Sequence, residues 1–223
     1  MEIEIRPYKN ILKEKEKHRK KLINADFNKK LQILSQLQER AMFFGKMDVK
    51  FRFDENYKFE DIVDIIEELK KEKLLKDYVL GGSVALLYYT QPTILTTDID
   101  IFITPIKNSS IFDLSDIYNY LKTEYKAEEK KEWIEIKGNP IQFLSPDKGL
   151  HGDAFKNAVK VTVGNKKFKI FTLEYLIAIM LFYYKQKYED RLKQIMREKK
   201  YKIQKLSPIL KKYNLENRWT NLN

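Results

Sequence analysis

Cysteine is absent from this chain, which excludes disulfides, thiolate zinc sites and a cysteine nucleophile. Histidine occurs only as His18 and His151, so a His-rich metal centre is excluded as well. Glycine and proline are few, 7 and 6 residues, and no internal repeat or low-complexity tract is visible. Long apolar runs are missing. The longest, Tyr78 to Tyr89 and Tyr175 to Tyr184, fall short of the ~18–20 residues that span a bilayer. The N-terminus opens on Glu2, Glu4 and Arg6 where an export signal would carry an apolar core. The expectation is a cytoplasmic protein that does not enter a membrane.

What is present suits a folded domain. Hydrophobic residues make up 43% of 223, with 14 Tyr and 13 Phe to build a sizeable core, and charged residues make up 34%. The length fits one domain, or one domain with a helical appendage. The net charge of +11 is unevenly placed, with nine Lys/Arg against three Asp/Glu in residues 9–30 and twelve against four in residues 185–223. Basic ends flank a slightly acidic centre. Such ends attract phosphate-bearing partners, although Lys-rich solvated helices produce the same pattern.

The pattern predicts helix over residues 8–44, with Pro7 suited to its start, a break at Asn24 to Asn28 and a stop at Gly45. Leu31, Leu34, Leu37 and Gln38, with Ile33 beside them, form its narrow apolar stripe. Met47 to Phe53 alternates like a short strand or extended linker, and the domain boundary is placed here: a basic helical extension over 1–45, then a domain over 46–223. Further helices are predicted at Phe59 to Lys76, Val84 to Tyr89 (ended by Pro92), Ile111 to Tyr125, Leu173 to Lys185, Asp190 to Lys200 and Ser207 to Tyr213. Strands are predicted at Tyr78 to Leu80 and Asp98 to Thr104. Hairpins turn at Gly138-Asn139 and Gly164-Asn165. Strands and helices mix without a strict βαβ repeat, so the fold class is α+β with a mixed sheet flanked by helices.

Two segments carry chemistry. In Thr97-Asp98-Ile99-Asp100-Ile101-Phe102-Ile103 the side chains alternate faces, so Ile99, Ile101 and Ile103 share the buried face and Asp98 and Asp100 the other. Two carboxylates with Cα atoms ~6.6 Å apart suit Mg²⁺ or Mn²⁺, hard cations that take carboxylates together with substrate phosphates. A half-buried strand with a solvated acidic face reads the same way. Gly81-Gly82-Ser83 follows a strand and opens a helix. Glycines allow backbone amides close to a ligand, a helix N-terminus favours anions, and the Ser83 hydroxyl can donate to a phosphate oxygen. An ordinary strand-to-helix turn with Ser as cap has the same residues. Together the two segments are more specific than either alone, because Asp98 follows Ser83 by only 15 residues. A phosphate grip beside a metal grip is what nucleotide transfer requires.

The stretch GGSVALLYYTQPTILTTDIDIFI resembles the signature of the nucleotidyltransferase superfamily that includes DNA polymerase beta and kanamycin nucleotidyltransferase. More narrowly, it resembles small prokaryotic nucleotidyltransferase-like proteins related to abortive-infection toxins. The resemblance covers residues ~59 to 215, through IQFLSP, EYLIAIML and a final helix with Asp190-Arg191. It implies a nucleotidyltransferase fold in which Gly82 and Ser83 bind the phosphates of a nucleoside triphosphate and Asp98 and Asp100 hold the metal. It also implies that Lys185 or Lys187 approaches the phosphates, with no ground for choosing between them. Many members carry a third carboxylate where this chain has Gln142, which is no proton acceptor at neutral pH. Glu135 or Asp153 is then the candidate substitute; otherwise the acceptor needs no strong base, or the domain binds nucleotide without transferring it. Tyr183, Tyr184 and Tyr188 are candidates for stacking on a base, although such tyrosines are more often core or rim residues. His18 is expected at the surface, His151 in a Gly-flanked loop, and Trp133 and Trp219 in packing roles.

The expected activity is metal-dependent transfer of a nucleoside monophosphate to an acceptor hydroxyl. The acceptor classes are RNA (tRNA in the toxin analogy), a protein side chain or a small molecule, and the basic ends favour RNA. The competing expectation is a non-catalytic nucleotide-binding or interaction module of a toxin–antitoxin pair. A metal-independent nucleic-acid binder is a third, which leaves the Gly-Gly-Ser turn unexplained. Residues 8–44 also resemble a small helical protein found as a partner of such transferases, which implies a docking or inhibitory arm and a cognate antitoxin or partner protein.

Overall fold

The computed structural model describes residues 8–43, 58–91, 98–106, 112–146 and 148–222. The Met47 to Phe53 strand, Pro7, Gly45, Pro92 and the boundary at residues 45–46 lie outside them. In chain order the elements are α1 (Tyr8–Ile23), α2 (Phe27–Phe43), α3 (Phe59–Lys71), β1 (Leu75–Leu80), α4 (Gly82–Tyr89), β2 (Ile99–Pro105), α5 (Ser115–Tyr125), β3 (Glu128–Glu129), β4 (Ile134–Ile136), β5 (Asn139–Leu144), α6 (Leu150–Lys156), β6 (Val159–Val163), β7 (Lys166–Ile170), α7 (Leu173–Tyr183), α8 (Gln186–Glu198), α9 (Ile203–Lys212) and α10 (Glu216–Thr220).

The strands form one mixed sheet in the order β3-β4-β5-β2-β1-β7-β6. β1 runs antiparallel to β2 and parallel to β7, and β2 runs parallel to β5. This is the α+β class with helices on both sides of a mixed sheet. One face carries Ile99, Ile101, Ile103, Ile141 and Phe143, all buried, and α3 and α5 cover it through Phe59 on Phe168 and Tyr118 on Phe143. The other face carries Asp100 and Phe102, with α6 packed on it through His151. Phe102 is itself buried, so the carboxylate face is covered beyond its rim rather than solvated along its length.

Several boundaries differ from expectation for local reasons. The first hairpin turns one residue early, at Lys137-Gly138, both at positive φ (49° and 77°), while Asn139 already pairs with Ile136. A two-residue turn of this kind needs φ > 0 at both positions, and the lysine accepts it. The second hairpin turns at Gly164-Asn165 as expected. His151 lies in α6, not in a loop. α5 begins at Ser115, where Asp113 Oδ1 accepts from the Ser115 backbone N–H at 2.9 Å. α7 ends at Tyr183 because Tyr184 enters the left-handed region (φ 37°), its N–H donating to Met180 O.

The second N-terminal helix packs onto the domain. α2 buries Phe27, Leu31 and Leu34 in the same apolar core as α3 and α4. It also buries Lys30, only 2% exposed, whose Nζ donates to the Leu87 and Tyr88 carbonyls at 3.1 and 3.0 Å. These are last-turn acceptors of α4, where a cation also meets the negative end of the helix dipole. Burial, and then the nearby Lys200, lower the Lys30 ammonium from 10.5 to about 8. The unfolded chain therefore holds this proton to higher pH than the folded one, and stability rises with pH across that window. Relative to Lys30→Met, the wild type should gain up to about 3 kcal/mol between pH 8 and 10.5 and lose it again as the pH falls to 8. Urea denaturation of both proteins across that range checks this, and a pH-independent difference would refute it.

Candidate functional site

β1 ends at Leu80 and the chain turns through Gly81 into α4, which starts beside β2. The Gly81 N–H donates to the Asp100 backbone carbonyl at 2.9 Å, continuing the β1–β2 ladder into the turn. Gly82 adopts φ +58°, and a Cβ there would stand 1.5 Å from Asp100 Oδ2. A Cβ on Gly81 would stand 2.5 Å from the Phe102 ring. Both glycines thus let the turn press against the face of β2 that carries Asp100 and Phe102. Gly82 stands against the Asp100 carboxylate and Gly81 against Phe102 and Phe171.

Asp98 stands just before β2 and Asp100 within it, both half-buried. Burial first, then the charge of Asp98, push the Asp100 carboxyl up to about 7. Lys187, a hydrogen bond from the Ser83 backbone N–H and Arg191 act in the opposite direction. A carboxylate whose proton affinity is raised by a neighbouring carboxylate marks an excess of negative charge that a cation relieves. Among the described residues no group of three or more His, Cys, Asp or Glu forms a metal site by itself. Magnesium does not require one, since one or two carboxylates with substrate phosphates are an ordinary set for it. The donor set therefore fits Mg²⁺ or Mn²⁺ bound together with a phosphorylated substrate.

The C-terminal helices supply the positive side. Because α7 stops at Tyr183, Lys185 is the N-cap of α8 and Lys187 lies in its first turn. Lys187 and Arg191 are the basic groups acting on Asp100; Lys185 is not among them. The sequence offers Arg191 on the final helix without giving it a role of its own. Its Nη1 donates to Ser83 Oγ at 2.7 Å, and its guanidinium lies 5.8 Å from the Tyr188 ring centroid. The available signal was the spacing of Lys187 and Arg191, four apart and hence on one helix face, with Tyr188 between them. Tyr188 is half-buried, its hydroxyl pushed up by burial and by Asp100 and Asp98. Tyr183 and Tyr184 are about half exposed. Tyr183 stacks on His151 (5.7 Å), which stacks on Phe102 (5.1 Å), so one aromatic column runs from the surface to β2.

Gln142 pairs in register with Asp100 across the parallel β2–β5 ladder and shares its face. The two substitute carboxylates are not there. Glu135 lies two strands over and two residues along, ~12 Å from Asp100 by strand geometry. Asp153 binds Lys212 and the Tyr213 hydroxyl, which hold its carboxyl below the usual range. His18 is exposed, Trp219 is buried and Trp133 is half-buried.

No protein-family model matches the chain. No curated protein matches it either. Among solved structures, an antigenic nucleotidyltransferase-like protein from Paracoccidioides brasiliensis superposes at a TM-score of 0.48 with 13% identity, covering 61% of this chain and 72% of its own. No helix among the described residues is long and apolar enough to cross a membrane.

Proposed function

We propose that the chain is a divalent-metal-dependent nucleotidyltransferase that moves a nucleoside monophosphate from a nucleoside triphosphate to an acceptor hydroxyl. The observation that carries this reading is Asp100 set against the first turn of α4, with Asp98 and Lys187 acting on its carboxyl and Arg191 bonded to Ser83. Asp98 and Asp100 would hold Mg²⁺ or Mn²⁺, which would supply charge stabilisation at the phosphates; the acceptor hydroxyl attacks the α-phosphate in line and pyrophosphate leaves. Lys187 and the Ser83 hydroxyl hold the triphosphate, and Lys185 contributes to the basic rim. The basic C-terminal helices favour RNA, tRNA included, as acceptor. The sequence resemblance suggests a toxin–antitoxin or defence setting in a prokaryotic cytoplasm, with a cognate antitoxin or partner protein.

The test is a transfer assay with the four α-labelled nucleoside triphosphates, Mg²⁺ or Mn²⁺, total RNA and cell lysate. Label moving to RNA or protein with the intact chain supports the reading. Nucleotide binding without transfer on any acceptor refutes catalysis.

Gln142 favours the second reading, a nucleotide-binding or interaction module without turnover, because an amide stands where an acceptor base is useful. Under the first reading Gln142→Glu places a proton acceptor beside Asp100 and raises the transfer rate ~10²-fold, the low side of what general bases contribute. An unchanged rate in that variant means the acceptor hydroxyl needs no base from this position.

A further inference from the structure

A serine hydroxyl has one proton and two lone pairs, and an arginine N–H only donates. At 2.7 Å from Arg191 Nη1, Ser83 Oγ is therefore the acceptor, and its own proton points away from that nitrogen. The Ser83 backbone N–H acts on the Asp100 carboxyl from the same turn, lowering its proton affinity. The hydroxyl is the side-chain donor that Ser83 offers a ligand, so its direction bears on what the turn can grip. Arg191 is well placed to set that direction. It is half-buried on α8 against the Tyr188 ring, four residues after Lys187, and its charge faces Asp98 and Asp100. A guanidinium holds such an angle better than an ammonium, because its fork is planar and rigid.

We infer that Arg191 is a positioning residue of the phosphate-binding turn, which fixes α8 to the start of α4 and aims the Ser83 hydroxyl proton at an oxygen of the incoming triphosphate. The inference rests on the nucleotide-binding reading above and adds to it a residue that acts through Ser83. It differs from a packing role in that the effect of Arg191 must vanish once the Ser83 hydroxyl is gone.

The test is equilibrium binding of nucleoside triphosphates, and of the matching unphosphorylated nucleosides, to the full chain with Mg²⁺. Wild type, Ser83→Ala, Arg191→Met, Arg191→Lys and the Ser83→Ala, Arg191→Met double variant are compared, each with a thermal melt. Arg191→Met should weaken triphosphate binding ~10- to 100-fold, the range for a hydrogen bond to a charged group, with nucleoside binding unchanged. The double variant should bind no more weakly than the poorer single one, since the two losses share one interaction. Arg191→Lys should recover part of the loss, and it keeps the charge if the methionine variant does not fold. Triphosphate binding by wild type with no loss in Arg191→Met, or with losses that multiply in the double variant, overturns the positioning role and leaves the nucleotide site standing. No triphosphate binding by wild type overturns the nucleotide reading and the inference together.

Discussion

Asp100→Asn should abolish nucleotide transfer, by ~10²–10³-fold or more, without lowering the melting temperature. On the proposed reading, the activity loss follows from removing one of the two carboxylates that would hold the metal ion. The stability outcome follows from the electrostatics of the fold. Burial and Asp98 push the Asp100 carboxyl up to about 7, so its ionised form is carried at a cost. An amide keeps an acceptor for the Ser83 N–H and removes the repulsion. Asp98→Asn should abolish transfer equally and relieve the same repulsion from the other side. Label transfer at the wild-type rate in either variant sinks the assignment of these carboxylates. Loss of transfer together with unfolding would mean instead that the pair holds the turn together.

Gly82→Ala should be the most damaging small substitution in the site. It puts a side chain on φ +58° and a Cβ 1.5 Å from Asp100 Oδ2. The backbone strain alone costs about 1 kcal/mol or more, and relief of the clash requires either the carboxylate or the start of α4 to move. A loss of at least ~3 kcal/mol in urea denaturation is expected, with transfer gone even where the variant folds. Gly164→Ala is the control. Its φ is nearly the same, +56°, and a Cβ there would stand 2.0 Å from Glu60 Oε1. That atom ends a flexible side chain, so Gly164→Ala should cost clearly less and leave transfer intact. Equal losses at the two positions would show that backbone strain, not the approach to Asp100, sets the effect.

The parts of the site visible in the sequence are those fixed by neighbours in the chain. Alternation along β2 separates Asp98 and Asp100 from Ile99, Ile101 and Ile103, and Gly81-Gly82-Ser83 marks a turn into a helix whatever lies around it. What required the fold is what depends on distant contacts. Lys187 is distinguished from Lys185 by where α7 ends, and that is set by Tyr184 at positive φ, a conformation its residue type does not advertise. Arg191 meets Ser83 across 108 residues of chain. Lys30 sits where a helix would normally present a solvated charge, and only the α4 carbonyls beneath it give it a buried role. α6 escaped notice because Gly152 interrupts a short segment that otherwise reads as a loop. Gln142 is the opposite case. Its place beside Asp100 was expected and the β2–β5 register agrees, because a parallel ladder keeps its pairing once the buried face is set.

Helix α4 spans only eight residues, a length at which an isolated helix in water is marginal. Here it is held at both ends, by Asp100 and Arg191 at its first turn and by Lys30 on its last carbonyls. A short helix tied at both termini has few conformations left to lose when an anion settles on its first turn. The ordering of these groups has been met in folding, so the entropy penalty at the moment of association is small. Loosening the Lys30 end, far from the carboxylates, should therefore weaken ligand capture through disorder rather than through any lost contact.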